Sequence, residues 1–298
     1  MNKEEISKLQ ERYKLTEEEY KDYCKKVILF FTTGKKSVEN PRLSFVAGQA
    51  GAGKSKLIPV VEENFKSNAV ISDYDMVRAL HPNFDKASKE VPEDVHMALL
   101  PDANRANEDL RHYCRDNNMN LIYEGTMRGT PVFLEIASEF KEAGYEIEIA
   151  LMSVPKLESY GSTLLRYATD LMLKENGRWV SKNVHDESYD KFIVTLTELS
   201  KRGLFDRAKV YRRGRESENG IPYQIYSTEG REFSNAIEAV LYGREAYRKD
   251  AVERYETMHD LVQEVFEQKA PELLPNLKEW EKLYEAEREY VNKNSQEK

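Results

Sequence analysis

The sequence predicts an α/β fold in which a mainly parallel sheet is flanked by helices. Short apolar runs of strand length alternate along the chain with longer amphipathic stretches of helical length. Parallel neighbours need crossover connections, and strands buried on both faces read as continuous apolar runs, so this alternation favours a parallel sheet with helices on both faces. The strand-like runs are Leu43–Ala47, Ala69–Ser72, Asn120–Glu124, Glu146–Val154, Ala208–Arg212 and Pro222–Ser227.

Helices are predicted before and after this alternating region. Residues 3 to 37 are rich in Glu and Lys, and Thr16 followed by Glu19 forms a capping box, which indicates two N-terminal helices. After the last strand-like run the chain is charged, and Pro271 and Pro275 interrupt what we interpret as two or three helices. We therefore divide the chain into N-terminal helices packed on the core (1–40), a core (41–230) and a C-terminal helical extension (231–298).

Composition disfavours several classes of function. The 298 residues are 40% hydrophobic, and 45 Lys and Arg against 53 Asp and Glu give a formal charge of −8, which disfavours nucleic-acid binding. No apolar run approaches the roughly 20 residues that cross a bilayer. Cys24 and Cys114 lie far apart, with no CxxC or nearby His pair that would indicate a disulfide framework or zinc site. We expect a cytoplasmic protein that binds neither nucleic acid nor membranes.

The first strand-like run leads directly into a phosphate-binding motif. The pattern G-x-x-x-x-G-K-[ST] is matched by Gly48, Gln49, Ala50, Gly51, Ala52, Gly53, Lys54 and Ser55. Glycines let backbone N–H groups surround phosphates, and the helix predicted over Ser55–Phe65 adds its positive dipole end. Lys54 would reach the β- and γ-phosphates, and the Ser55 hydroxyl would coordinate Mg²⁺. The sequence therefore predicts a P-loop NTPase-type sandwich that binds ATP and Mg²⁺.

Two carboxylates follow the second strand-like run. Asp73 and Asp75 would lie at the carboxyl end of a parallel strand, where ligands bind in sheets of this kind. In phosphoryl transfer, a carboxylate that accepts the proton of the attacking hydroxyl is the expected remaining part of the site. Either residue could instead cap the helix that follows, so the residues alone leave the choice of base open.

The third strand-like run ends in an acid, a hydroxyl and a guanidinium within five residues. Glu124 and Thr126 suit sugar hydroxyls, and Arg128 suits a phosphate or diphosphate through its forked donors. Glu124 could alternatively bind Mg²⁺ through water, and the whole segment could be an ordinary polar turn. We predict that this segment binds the substrate.

Other charged residues carry weaker signals. Glu108 lies on a predicted helix, 103–117, and its spacing alone does not select it. Arg166 and Arg178 belong to a segment at about 155–185 that resembles the lids of nucleotide kinases, whose arginines close over the transferring phosphate. Taken alone, such residues are more often surface arginines. Residues 201 to 215 hold seven basic side chains, for which a solvated face is the simplest interpretation. The run could instead flank the nucleotide or bind an acidic partner, and we assign it no catalytic role.

These motifs occur in a fixed order along the chain. GQAGAGKS is followed by SDYD with His81–Asp85, by Ala103–Arg105 with Glu108, by YEGTMR, and by SVPKLESYGSTLLRY. The ordered set, over roughly residues 40 to 215, resembles the zeta toxins of bacterial toxin–antitoxin systems. The resemblance implies an ATP-dependent kinase that phosphorylates the 3′-hydroxyl of UDP-N-acetylglucosamine and so blocks the synthesis of cell-wall precursors. It also implies a small helical antitoxin that blocks the nucleotide site.

The resemblance further implies a role for each matching residue. Lys54 becomes the phosphate-binding lysine, Asp75 becomes the general base, and Arg166 and Arg178 become the lid arginines. The contacts to the sugar nucleotide become Glu108, Glu124, Thr126 and Arg128.

The sequence departs from the family in two places. Ala50 stands where the family commonly has proline, which leaves phosphate binding intact because no side chain is needed there. The chain after Glu232 shows no usable similarity. It could be a built-in inhibitor, a docking surface for a partner or an ordinary part of the fold, and we favour the last.

Two other functions remain open at this stage. The first keeps the fold and chemistry but changes the acceptor to another UDP-sugar, NAD or an antibiotic. The second is a regulatory protein whose P-loop senses ATP without phosphoryl transfer.

Overall fold

A computed structural model describes residues 2–92, 94–173, 179–214, 220–228 and 233–296. It confirms the predicted fold class, because a mostly parallel sheet is flanked by helices. The strands are β1 Arg42–Ala47, β2 Val70–Ser72, β3 Leu121–Gly125, β4 Glu146–Met152, β5 Arg207–Arg212 and β6 Tyr223–Ser227. They form a six-stranded sheet in the order β2-β3-β1-β4-β5-β6.

Strand pairing sets which ends of the strands lie side by side. β2 runs parallel to β3, with Ser72 beside Tyr123, and β4 runs parallel to β5, with Met152 beside Tyr211. The edge strand β6 is antiparallel to β5. Residues that follow β2 and β3 therefore leave the sheet at one edge, as do those that follow β4 and β5.

The helices before the last strand are α1 Lys3–Tyr13, α2 Glu17–Thr32, α3 Lys54–Glu62, α4 Tyr74–Ala79, α5 Phe84–Glu90, α6 Val95–Ala98, α7 Leu100–Asp116, α8 Thr130–Glu142, α9 Lys156–Leu173 and α10 Lys182–Lys201. After it come α11 Ala236–Ala246, α12 Arg248–Lys269 and α13 Leu274–Gln296. The capping box predicted at the start of α2 is present, since the Thr16 side chain accepts from the Glu19 N–H and the Thr16 N–H donates to the Glu19 carboxylate. No helix in the described ranges combines the length and the apolarity needed to cross a bilayer.

The chain divides into two compact units. Unit 1 consists of Met1–Ser44, Glu62–Glu124 and Glu142–Glu146, and unit 2 consists of Phe45–Val61, Gly125–Lys141 and Ile147–Lys298. In unit 1 the Tyr23 hydroxyl donates to the Val77 carbonyl at 2.7 Å, which fixes α2 against α4.

The C-terminal helices of unit 2 pack on α9 around Trp280. This side chain is fully buried, and its indole N–H donates to the Leu157 carbonyl at 3.1 Å. Its ring meets Tyr255 of α12 edge to face, with the ring centroids 4.7 Å apart. Gly161 on α9 makes room for the ring, because a Cβ there would lie 2.2 Å from Trp280 Cζ2. Helices α9, α12 and α13 therefore share one hydrophobic core.

Gly161→Ala is expected to destabilise the protein, although alanine is the better helix former. The new methyl group would overlap the buried Trp280 ring, and overpacking of this kind costs about 1–3 kcal/mol. Urea unfolding measures the change. Thr169→Ala, at an exposed position of the same helix, is the control and should leave the free energy of unfolding unchanged or slightly raised. Equal stability of Gly161→Ala and wild type would contradict the packing around Trp280.

Candidate active site

The loop between β1 and α3 has a backbone shape that depends on glycine. Gly51 and Gly53 have φ values of +73° and +90°, in the left-handed region that favours glycine. A Cβ on Gly51 would lie 2.0 Å from the Ser159 carbonyl oxygen, so α9 approaches the loop closely at that point. The predicted phosphate-binding segment Gly48–Ser55 thus forms a turn of backbone that ends at the N-terminus of a nine-residue helix.

Lys54 and Ser55 occupy the first turn of α3. The Lys54 ammonium group donates to the carbonyls of Gly48 at 3.0 Å and Gln49 at 3.3 Å, so it lies across the loop, and the Ser55 side chain is exposed. A left-handed glycine turn, a helix N-terminus and a lysine over the loop together fit a nucleoside triphosphate. In the described part of the chain, no cluster of three His, Cys, Asp or Glu side chains forms a metal site. The Ser55 hydroxyl at the end of the loop is a group that could hold Mg²⁺ together with phosphate oxygens.

Buried polar side chains fix the start of the loop. The Gln49 amide donates to the Val154 carbonyl at 2.8 Å, which ties the loop to the residues after β4. The Ala50 N–H donates to the Ser188 hydroxyl at 3.3 Å, and this hydroxyl donates to the His185 carbonyl at 2.7 Å. Helix α10 thus holds one of the loop's amide groups.

Arg213 contacts the loop and was not selected from the sequence. It follows β5 directly, and its guanidinium donates to the Gly51 carbonyl and, at 2.7 Å, to the Ser162 hydroxyl. Arg213 belongs to the basic run at 201–215, for which the sequence alone indicates no catalytic role. Applying the strand-end rule to β5, as to β2 and β3, would have selected it.

Helix α9 presents one face to the loop. Ser159 and Thr163 are the α9 residues nearest to Gly51. Arg166 is exposed and lies seven residues after Ser159 and three after Thr163, so helical spacing places it on that same face. Arg178, the second predicted lid arginine, lies outside the described residues.

The predicted substrate segment begins beside the loop. The Gly48 N–H donates to the Gly125 carbonyl at 3.4 Å, and Thr126 and Arg128 follow in the same unit. Between them Met127 has a φ of +54°, an uncommon conformation for a residue with a side chain. Its side chain is buried, and its carbonyl accepts the Thr195 hydroxyl at 2.6 Å. Two side chains of α8 and α10, Thr130 and Thr195, support this turn through a 2.7 Å hydrogen bond between their hydroxyls.

In unit 1 the two aspartates after β2 differ in their contacts. Asp73 is the N-cap of α4, because its carboxylate accepts the N–H groups of Asp75 at 2.9 Å and Met76 at 3.2 Å. The Asp75 side chain is 64% exposed and forms an ion pair with Arg78. The Asp73 carboxylate is therefore engaged in capping α4, whereas the Asp75 carboxylate is accessible to solvent.

Two further acids belong to the same edge of unit 1. The register that pairs Ser72 with Tyr123 aligns Asp73 with Glu124 at the ends of neighbouring strands. The Ser72 hydroxyl donates to the Asn107 side chain at 2.6 Å, which brings α7 to this edge. Glu108 is the next residue of α7 and is exposed.

Burial keeps His185, beneath the loop, neutral. Its ring is inaccessible to solvent, with Nε2 2.9 Å from the Ser159 hydroxyl and Nδ1 3.1 Å from the Asp186 carboxylate. Desolvation lowers the pKa of His185 to about 4 and outweighs the attraction of Asp186, which raises it.

His185 is expected to contribute a loss of about 3 kcal/mol of stability as the pH decreases from 6.5 to 4, because the unfolded chain binds a proton at His185 in this range more readily than the folded chain does. Urea unfolding across this range measures the loss. His185→Gln should flatten the slope in this window, whatever its effect on stability at pH 7. An unchanged slope in the variant would contradict the assignment.

Comparison with known proteins places the chain among bacterial toxins. The family model described as "Zeta toxin" matches residues 29–219, well over half of the chain. Toxin zeta of Streptococcus agalactiae is 34% identical over 201 residues, which cover 66% of this chain and 69% of that toxin. Toxin zeta of Enterococcus hirae is 35% identical over 183 residues, which cover 60% of this chain and 63%, just under two thirds, of that toxin.

A solved structure extends the likeness to the fold. The toxin–antitoxin system PezAT of Streptococcus pneumoniae contains a chain that matches 85% of this one with a TM-score of 0.74 and 25% sequence identity, and 98% of that chain is covered. The P-loop kinase-like fold and the sequence matches agree, and the chain belongs to the zeta toxin family.

Proposed function

We propose that this protein is an ATP-dependent kinase that phosphorylates the 3′-hydroxyl of the amino sugar of UDP-N-acetylglucosamine and acts as a toxin on cell-wall precursor synthesis. The observation that carries the proposal is the loop Gly48–Ser55, in which two glycines have positive φ and the Lys54 ammonium group lies across the backbone. The segment Gly125–Arg128 adjoins this loop through the hydrogen bond from Gly48 to Gly125. Such a loop binds the phosphates of a nucleotide, and the adjoining segment carries polar groups suited to an acceptor. Family membership supports the same activity.

The phosphate-binding residues neutralise and orient rather than react. Bound Mg-ATP supplies the phosphoryl group that is transferred. Lys54 and the loop amides hold the phosphate oxygens, and the Ser55 hydroxyl is a ligand for the metal ion. Arg166 and Arg178 spread the charge that develops on the transferring group, as arginines of kinase lids do.

The acceptor side of the reaction needs a base and a sugar-binding surface. Asp75 accepts the proton of the attacking hydroxyl, a role that suits an accessible carboxylate that does not cap a helix. Thr126 and Glu124 bind sugar hydroxyls, and Arg128 binds the diphosphate through its forked donors. Glu108, on α7 of unit 1, completes the acceptor contacts.

We also propose a small helical antitoxin as the partner. The PezAT structure, whose fold this chain shares, belongs to a toxin–antitoxin system. A cytoplasmic location fits the two free cysteines, Cys24 and Cys114, since thiols persist in a reducing compartment.

Purified protein incubated with ATP, Mg²⁺ and UDP-N-acetylglucosamine should give a product heavier by one phosphate group, detected by mass spectrometry. Other UDP-sugars, NAD and an aminoglycoside serve as competing acceptors in the same assay. Phosphorylation of one of these in place of UDP-N-acetylglucosamine would overturn the substrate and keep the kinase. Nucleotide binding without any phosphorylated product would overturn the kinase itself.

Asp75→Asn is expected to lower kcat about a hundredfold or more while the Kd for Mg-ATP changes little, because the amide cannot accept the proton. Calorimetry measures the Kd, and the mass assay measures turnover. Asp116→Asn is the matched control, since Asp116 is similarly exposed and also pairs with an arginine, Arg115. Equal turnover of Asp75→Asn and Asp116→Asn would contradict the role of Asp75.

A further inference from the structure

Three charged side chains in a row connect α12, one of the C-terminal helices, to the phosphate-binding loop. Its centre is Glu158 on α9, whose side chain is only 2% exposed. Glu158 Oε1 accepts from Arg254 Nη1 at 2.6 Å and lies 3.5 Å from Arg213 Nη1. Arg213 in turn donates to the Gly51 carbonyl in the loop. Arg254 is therefore linked to the loop first through Glu158 and then through Arg213.

Arg254 is held at both ends of its guanidinium group. Its Nη2 donates to the Gly214 carbonyl at 3.0 Å, while its Nη1 donates to Glu158. The helix that carries it packs on α9 through the shared core that includes Tyr255 and Phe266. The side chain is thus fixed by packing as well as by hydrogen bonds.

Electrostatics makes the arrangement sensitive to Arg254. A buried carboxylate must be paired, and leaving it unpaired is costly. Because Arg254 satisfies Glu158 at short range, Arg213 keeps a looser contact with Glu158 and directs its donors to Gly51 and Ser162. If Arg254 were lost, Arg213 would be the remaining partner of Glu158 and would be drawn away from Gly51.

We propose that Arg254 is a positioning residue for the phosphate-binding loop: by holding Glu158, it keeps Arg213 on the Gly51 carbonyl. The proposal rests on the nucleotide binding proposed above. It gives the C-terminal extension a part in that site, although the family match ends at residue 219. Because the guanidinium of Arg254 bonds to Glu158 and to the Gly214 carbonyl, its proposed effect on nucleotide binding passes through the shape of the loop.

Arg254→Met is expected to raise the Kd for Mg-ATP about tenfold or more, the effect of losing one charge-assisted hydrogen bond at the loop. Calorimetry on the full chain measures the Kd, and thermal unfolding verifies that each variant folds. Arg254→Lys keeps the charge beside Glu158 and should retain most of the affinity. Arg254→Gln, which can still donate to Gly214 but carries no charge for Glu158, should behave like Arg254→Met and replaces it if that variant does not fold.

Arg248→Met is the matched control. Arg248 lies on the same helix, is similarly half-buried and pairs with Glu245 of α11 and Glu287 of α13 rather than with Glu158 of α9. The control should bind Mg-ATP as the wild type does. An equal loss of Mg-ATP affinity in Arg248→Met and Arg254→Met would mean that both variants act by destabilising α12, and it would overturn the proposal.

A double-mutant cycle separates positioning from mere structure. If Arg254 acts through Arg213, the variant that combines Arg254→Met with Arg213→Met should bind no more weakly than Arg213→Met alone. Additive losses, or wild-type affinity in Arg254→Met, would overturn the proposal and leave the kinase function standing. Absence of Mg-ATP binding in the wild type would instead overturn the proposed function itself.

Discussion

The conformation of the backbone at Gly51 is the constraint on which the site depends. Its positive φ turns the loop, its missing Cβ lets the Ser159 carbonyl approach, and its own carbonyl accepts the Arg213 guanidinium. A side chain at this position would meet a backbone atom of a packed helix, which cannot move without moving α9. The shape of the loop and the packing of α9 are therefore coupled, and the loop is held in shape before any phosphate arrives.

Because of that coupling, several helices of unit 2 help to hold a loop of only eight residues in place. Helix α9 is held from one side by the Trp280 core of α12 and α13, and α10 holds a loop amide through Ser188. A preformed loop loses little conformational entropy when it binds a ligand, which favours affinity. His185 is buried and neutral, and its hydrogen bond with the Ser159 hydroxyl links α10 to α9.

Much of the fold could be predicted from the sequence because buried parallel strands leave a simple pattern. Each of the six strands begins and ends within two residues of the bounds of the apolar run that predicted it, and the P-loop motif predicted the start of α3. Which of Asp73 and Asp75 caps α4 could be decided only from the coordinates, since both lie at the N-terminus of that helix. The resemblance favoured Asp75, and the structure shows Asp73 occupied as the cap.

The rest of the site could not be read from the sequence because it depends on tertiary contacts. Glu158 looks like one more helical acid, and nothing local marks it as buried or as the partner of an arginine 96 residues later. Arg254 stands in a charged helical segment where most such residues are solvated. Its importance appears only once α12 is packed on α9.

The most direct test of the account is a crystal structure of the protein with Mg²⁺ and a non-hydrolysable ATP analogue. The account predicts that the triphosphate lies over the amides of Gly51–Ser55, with Lys54 on its terminal phosphates and the Asp75 carboxylate facing the γ-phosphate. A nucleotide bound elsewhere, or Asp75 directed away from the γ-phosphate, would contradict it.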